Sequence, residues 1–166
     1  MRAAAPEPAV AELVGLARRL RAGAGLTALR RLAGNPPAGR ALGHAAPVFV
    51  HHWADGDVLL GDGRASTLLD VKTVLRTDNG ERAARWLWQL LGYAWLDTAD
   101  QWRIRTAGLY LARHGVLLTW PVDDLAARLL GDQGGFGRRR RLASARAEFL
   151  DVAHRALFAE GAHLPA

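Results

Sequence analysis

Three residues, Asp57, Asp70 and Lys72, carry the chemistry that is easiest to read in this chain. Asp70 and Lys72 lie two apart in the run Ser66 to Val74, which reads as a β-strand. Residues at i and i+2 of a strand project to one face, so the two side chains stand together. Asp57 opens the apolar run Asp57 to Gly61, and Asp62-Gly63 follows as a turn signal. A hairpin of these two strands brings Asp57 beside Asp70. Leu68, Leu69, Val71 and Val74 make the second strand largely apolar, and charge inside such a strand is costly unless it meets a cation or a substrate. Two carboxylates side by side are hard oxygen ligands suited to Mg²⁺ or Mn²⁺, with the Val71 carbonyl as a further donor. Such a metal polarises a phosphoryl oxygen and lowers the pKa of a bound water, and Lys72 can orient that water or meet the charge growing on the phosphate. The chemistry this predicts is phosphate-ester hydrolysis. A surface Asp–Lys cross-strand pair of little energetic value is the plain alternative.

Composition adds weight to Lys72. Among 22 Lys and Arg residues it is the only lysine. Where this chain needs positive charge alone it uses arginine, a planar fork; a lone lysine marks a position suited to a compact point charge. The net charge is +6, with concentrations at Arg138 to Arg141 and at Arg18, Arg19, Arg21, Arg30 and Arg31. That balance favours an anionic partner such as DNA, although solvated helix surface explains it equally well. Without cysteine there is neither a disulfide framework nor a zinc–thiolate site. Residues Met1 to Pro8 lack the apolar core of a signal peptide, and no apolar run is long enough to cross a bilayer. The expectation is a soluble, cytoplasmic protein with no membrane association.

The elements that position these residues follow from periodicity. Ala9 to Ala33 reads as helix, broken at Gly23-Ala24-Gly25. Pro47 to Trp53, Asp57 to Gly61 and Ser66 to Val74 read as three strands of an antiparallel meander. Asp78-Asn79-Gly80 precedes a helix over Glu81 to Leu96, whose tryptophans Trp86, Trp88 and Trp95 read as core. Ile104 to Ala112 and Val116 to Trp120 are two more strands, and Pro121 opens a helix with Asp123 and Asp124 in its first turn. The expected fold is α/β, a mixed central sheet of about five strands flanked by helices. The expected organisation is a domain over 1–130, a Gly/Arg-rich linker over 131–143 and an amphipathic C-terminal helix over 144–166. Through that last helix the chain could reach a protein partner or a second copy of itself.

Asp57 followed by Asp70-Val71-Lys72 resembles the signature of the PD-(D/E)XK nuclease superfamily. Gln89-Leu90-Leu91-Gly92-Tyr93 resembles the Gln-x-x-x-Tyr motif of its RecB-like branch, and Gln89 and Tyr93 share one helix face. The resemblance covers roughly Pro47 to Trp120. It implies a restriction-endonuclease-like fold with an αβββαβ core and a Mg²⁺- or Mn²⁺-dependent nuclease hydrolysing DNA phosphodiester bonds. It further implies Asp57, Asp70 and Val71 as metal ligands, Lys72, Asp70 and Asp57 as catalytic residues, and Gln89 and Tyr93 as substrate-binding residues. Asp55 competes with Asp57 for the first position. A third acidic ligand from the first helix would be Glu12. His44, His51 and His52 read as structural, and Trp53 is the tryptophan best placed to touch substrate. Should the third ligand be missing, the resemblance leaves a catalytically inactive nuclease-fold protein that binds nucleic acid or serves as an interaction subunit.

Overall fold

The computed structural model describes residues 6–132 and 134–160. Two helices come first, α1 (Glu7–Ala22) and α2 (Gly25–Leu32), separated by the glycine-flanked break at Gly23 to Gly25. Short strands β1 (Gly43–Ala45), β2 (Val48–Val50), β3 (Ala54–Asp55) and β4 (Val58–Gly61) lead to the longer β5 (Ser66–Lys72). Helix α3 (Gly80–Leu96) crosses over to β6 (Ile104–Leu111), followed by β7 (Val116–Pro121), α4 (Val122–Leu129) and α5 (Arg138–Ala159).

The main sheet has the order β1-β4-β5-β6-β7. Only β5 and β6 pair in parallel, joined through α3; the other three neighbours are antiparallel. The chain is therefore α/β with a five-stranded mixed sheet flanked by helices, as its periodicity predicts.

β5 is the central strand and is buried on both faces. Leu68 faces the larger core with Leu59, Ala107 and Leu109, beneath α3, α4 and α5. Leu69 faces the opposite way, with Leu60, and packs against Leu29 and Leu32 of α2. Asp70 and Lys72 continue the Leu68 row, so they stand on the α3 face just past the end of that core.

The meander is built differently from the one expected. The run Pro47 to Trp53 is not the third strand of the main sheet: Val48–Val50 pairs with Ala54–Asp55 in a separate two-stranded ribbon, and residues 51–53 form its turn. β1 takes the sheet position beside β4 instead. The cause is local. Ala46 adopts φ 50°, and Pro47 has no N–H for a ladder, so the strand bends between β1 and β2. Ala46 N–H still donates to Asp57 O at 2.9 Å, and Gly56 N–H to Pro47 O at 2.8 Å, which holds the bend together.

The C-terminal region also departs from expectation. The linker expected over 131–143 ends at Gly137, because α5 begins at Arg138 and takes in the whole arginine run. Gly137 supplies the left-handed entry at φ 85°. Arg138 then pairs with Asp124 in the first turn of α4 at 2.5 Å, and Arg141 with Asp132 just past the end of α4 at 2.8 Å, so both ends of α4 hold the first turns of α5. Leu142, Ala153 and Leu157 of α5 are buried in the larger core. Of the N-terminal stretch read for a leader, residues 1–5 lie outside the described residues, as do residues 161–166 of the expected final helix. Among the described residues, no helix is long and apolar enough to cross a membrane.

The position of Leu68 gives a direct check. Its side chain is 1 % exposed, whereas Leu13 on the outer face of α1 is 64 % exposed. Leu68→Ala is expected to cost about 3 kcal/mol in chemical denaturation, from lost burial plus the cavity left behind. Leu13→Ala is expected to change stability by less than about 0.5 kcal/mol. Equal losses at the two sites would contradict the core described above.

Candidate active site

The register of β4 against β5 pairs Val58 with Leu69 and Leu59 with Leu68. One step further along this ladder, Asp57 falls opposite Asp70. Directly opposite residues of an antiparallel pair share a face, so the two carboxylates are neighbours. Strand alternation then fixes the backbone around them. Lys72 C=O accepts from Ala112 N–H at 2.9 Å, on the β6 side. Val71, one residue earlier, turns its N–H and C=O to the β4 side. There Val71 N–H donates to Asp57 Oδ2 at 2.7 Å. Asp57 is thereby anchored by one carboxylate oxygen to the strand that carries Asp70, and the Val71 carbonyl opens onto the same edge.

Asp70 is the buried member of the pair. Its Oδ2 lies 2.7 Å from Lys72 Nζ, with 14 % of the Asp70 side chain and 18 % of the Lys72 side chain exposed. The ammonium is the partner of that oxygen, which is fully shielded from solvent. Burial pushes the Asp70 pKa above the ordinary aspartate value. Lys72 opposes that shift without cancelling it, and the neighbouring Asp57 carboxylate adds to it. A desolvated carboxylate oxygen, next to a second carboxylate and a backbone carbonyl, is a donor set that fits a hard divalent cation. Among the described residues, no group of three or more His, Asp or Glu side chains gathers where a metal would sit, so the set has two carboxylates and no third.

The other expected residues divide clearly. Asn79 caps α3 by accepting from Arg82 N–H at 2.8 Å, which sets the start of the helix close behind β5. From α3, Trp86 lays its ring over Lys72 Nζ at 5.7 Å from the ring centroid. Gln89 and Tyr93 follow on the same helical stripe. Gln89 Nε2 donates to Tyr93 Oη at 2.9 Å, and the Tyr93 ring packs on Phe49 of β2 at 5.8 Å. The motif pair thus lies on the stripe of α3 that carries Trp86 and packs toward β2. Asp55 is exposed in β3, paired with Val48. It does not share the hydrogen bond from Val71 N–H that ties Asp57 to β5. Glu12 is in an ion pair with Arg113, whose Nε also donates to Thr73 O at 2.6 Å. Glu12 is therefore tethered near the end of β5 but neutralised there. His44 contacts Trp102 edge-on at 5.8 Å, and His51 and His52 face each other at 3.7 Å in the ribbon turn. Trp53 and Trp88 are both partly exposed, so Trp88 is not core; Trp95 is.

Two residues beside the cluster carry no motif. Trp86 reads as a core residue from its spacing, and its place three residues before Gln89 is the signal that puts it on the site side of α3. Arg113 has no such signal, because its partners Glu12 and Thr73 come from distant segments.

The raised pKa of Asp70 has a defined consequence for stability without metal. A carboxyl whose pKa rises on folding binds its proton more tightly in the folded state, so its contribution favours folding at low pH and is lost as pH rises past the raised value. Asp70→Asn is therefore expected to raise the thermal midpoint at pH 7 in the presence of chelator. That gain should shrink as pH falls toward the ordinary aspartate value of 3.8, measured by thermal denaturation at several pH values. A destabilised variant at pH 7 would show that the Lys72 ion pair, not burial, dominates.

Comparison with protein-family models, with curated proteins and with solved structures yields no match for this chain.

Proposed function

We propose that this chain is a Mg²⁺- or Mn²⁺-dependent nuclease with a restriction-endonuclease-like fold, hydrolysing DNA phosphodiester bonds. The observation that carries the proposal is the close grouping of Asp57, Asp70 and Lys72 at the end of a strand buried on both faces. Charge placed there has a cost that a purely structural role leaves unexplained.

The residues would share the work as follows. Asp70 Oδ2 and the free oxygen of Asp57, with the Val71 carbonyl, would hold the cation. When bound, the cation supplies Lewis-acid polarisation of the phosphoryl oxygen and an acidified water. Asp57 is kept in place by Val71 N–H and needs no rearrangement to act. Lys72 presents a point charge to a non-bridging phosphate oxygen, where negative charge grows during the reaction. Gln89 spends one amide N–H on Tyr93 Oη, which leaves its second amide N–H and the tyrosine hydroxyl proton to donate to the phosphate oxygens of a substrate strand.

Purified protein incubated with linear and circular DNA and Mg²⁺ or Mn²⁺ tests this directly. Asp70→Ala and Lys72→Ala are each expected to lower the cleavage rate roughly 10²- to 10³-fold. Wild type and both variants showing the same background would end the enzyme reading.

A second reading has its own support: Glu12 is occupied by Arg113 and only two carboxylates meet. On that reading the fold binds nucleic acid without cutting it. Arg138 and Arg141 are committed to Asp124 and Asp132, so the exposed Arg139 and Arg140 are the members of the run available to phosphates. Replacing both with alanine is expected to reduce the slope of log affinity against log salt by about 2, one unit for each phosphate contact removed. An unchanged slope would exclude this run as the contact. An interaction role for α5 has less support, since its apolar face is covered by α3 and α4 of its own domain.

A further inference from the structure

We propose that Trp86 is a positioning residue for Lys72: its indole face and the Asp70 carboxylate form a slot that holds a compact ammonium and leaves the second oxygen of Asp70 free. The inference rests on the reading of this cluster as a hydrolytic site, and it extends that reading to a residue outside both motifs.

The geometry is specific. Lys72 Nζ lies 2.7 Å from Asp70 Oδ2 and 5.7 Å from the centroid of the Trp86 ring. Among the described residues the ammonium makes no other ion pair and lies over no other ring. The two partners come from different elements, β5 and α3, so the lysine head is gripped between the sheet and the helix. Trp86 is itself held: it packs against the larger core, on a helix whose first turn is fixed by the Asn79 cap. A ring in that position attracts a cation through its π face and keeps water from one side of it.

Asp70 alone is an unreliable anchor for this lysine. In the proposed reaction its Oδ2 is required by a cation, and an oxygen so engaged holds the ammonium less strongly. The neutral indole is not drawn into that competition. Trp86 therefore keeps the ammonium aimed at the phosphate when the ion pair loosens. The slot also accounts for the chain's only lysine. An arginine at position 72 would stack its plane on the indole and fork across both oxygens of Asp70, taking the carboxylate out of use.

The single lysine makes the test clean. Protein labelled with ¹³C,¹⁵N-lysine gives side-chain signals from Lys72 alone. The expected result is a nuclear Overhauser contact between the Lys72 ε-methylene and the Trp86 indole protons, with a ring-current shift of the methylene. That shift should disappear in Trp86→Leu and be partly kept in Trp86→Phe. In the DNA cleavage assay, Trp86→Leu is expected to lower kcat about tenfold with KM unchanged, and Trp86→Phe to recover most of it. Absence of the contact in wild type would overturn the proposal, as would a folded Trp86→Leu protein with full kcat. If Trp86→Leu does not fold, the wild-type contact and the Trp86→Phe variant decide between the two outcomes. A wild type that cleaves no DNA would defeat the nuclease reading, and the Overhauser contact would then decide the slot by itself.

Discussion

β5 packs Leu68 into one core and Leu69 into the other, and it has a hydrogen-bonded neighbour on each side. Nothing in such a strand is easily solvated. Two charged side chains placed at its end must find compensation from the protein, and the surroundings are organised to give it. Lys72 answers Asp70, Asp57 is anchored to Val71 N–H, and an indole covers the ammonium. The compensation is incomplete at Asp70: Lys72 opposes the cost of burial without cancelling it, and that carboxyl resists ionisation as a result. Under the proposed function, stability and chemistry would pull against each other there.

Much of this was readable in the sequence because period-2 alternation is simple. Asp70 and Lys72 had to share a face, and the turn at Asp62-Gly63 had to fold Asp57 back toward them. The ladder pairing Val58 with Leu69 does so. The stripe of Gln89 and Tyr93 was equally legible from helical spacing. The bend before β2 was not: Pro47 marks a gap in the ladder, but nothing in the sequence marks a positive φ at the alanine before it. The start of α5 was hidden for a similar reason. Four consecutive arginines suggest a solvated linker, and only the spatially adjacent Asp124 and Asp132 turn them into the first turns of a helix. The role of Trp86 fell between these cases: its face was predictable, but not the lysine beneath it.

The polar contacts of α1 show a different division of labour. None of its residues is buried. It is attached through Glu12 and Arg19, both of which reach Arg113, while Arg113 holds the carbonyl of Thr73 just beyond Lys72. One arginine thus ties the first helix to the exit of the central strand. This places Glu12 near the exit of β5 with its charge already met by Arg113.

The stretch from Asp57 to Tyr93 contains both carboxylates, the lysine, the indole and the Gln–Tyr pair. Of the elements that cover and complete the sheet, β1 and α2 come earlier in the chain, whereas β6, β7, α4 and α5, which complete the side bearing the cluster, come later. Closing a short loop costs less entropy than closing a long one, so the hairpin of β4 and β5 and the turn into α3 can form before β6 arrives to pair along β5. On that order of events the charged groups meet while still wet, when bringing two carboxylates together is cheap, and are dried only as the later segments dock. The chain's own direction then spares the folding pathway the step it could least easily take, which is carrying bare charge into a finished interior.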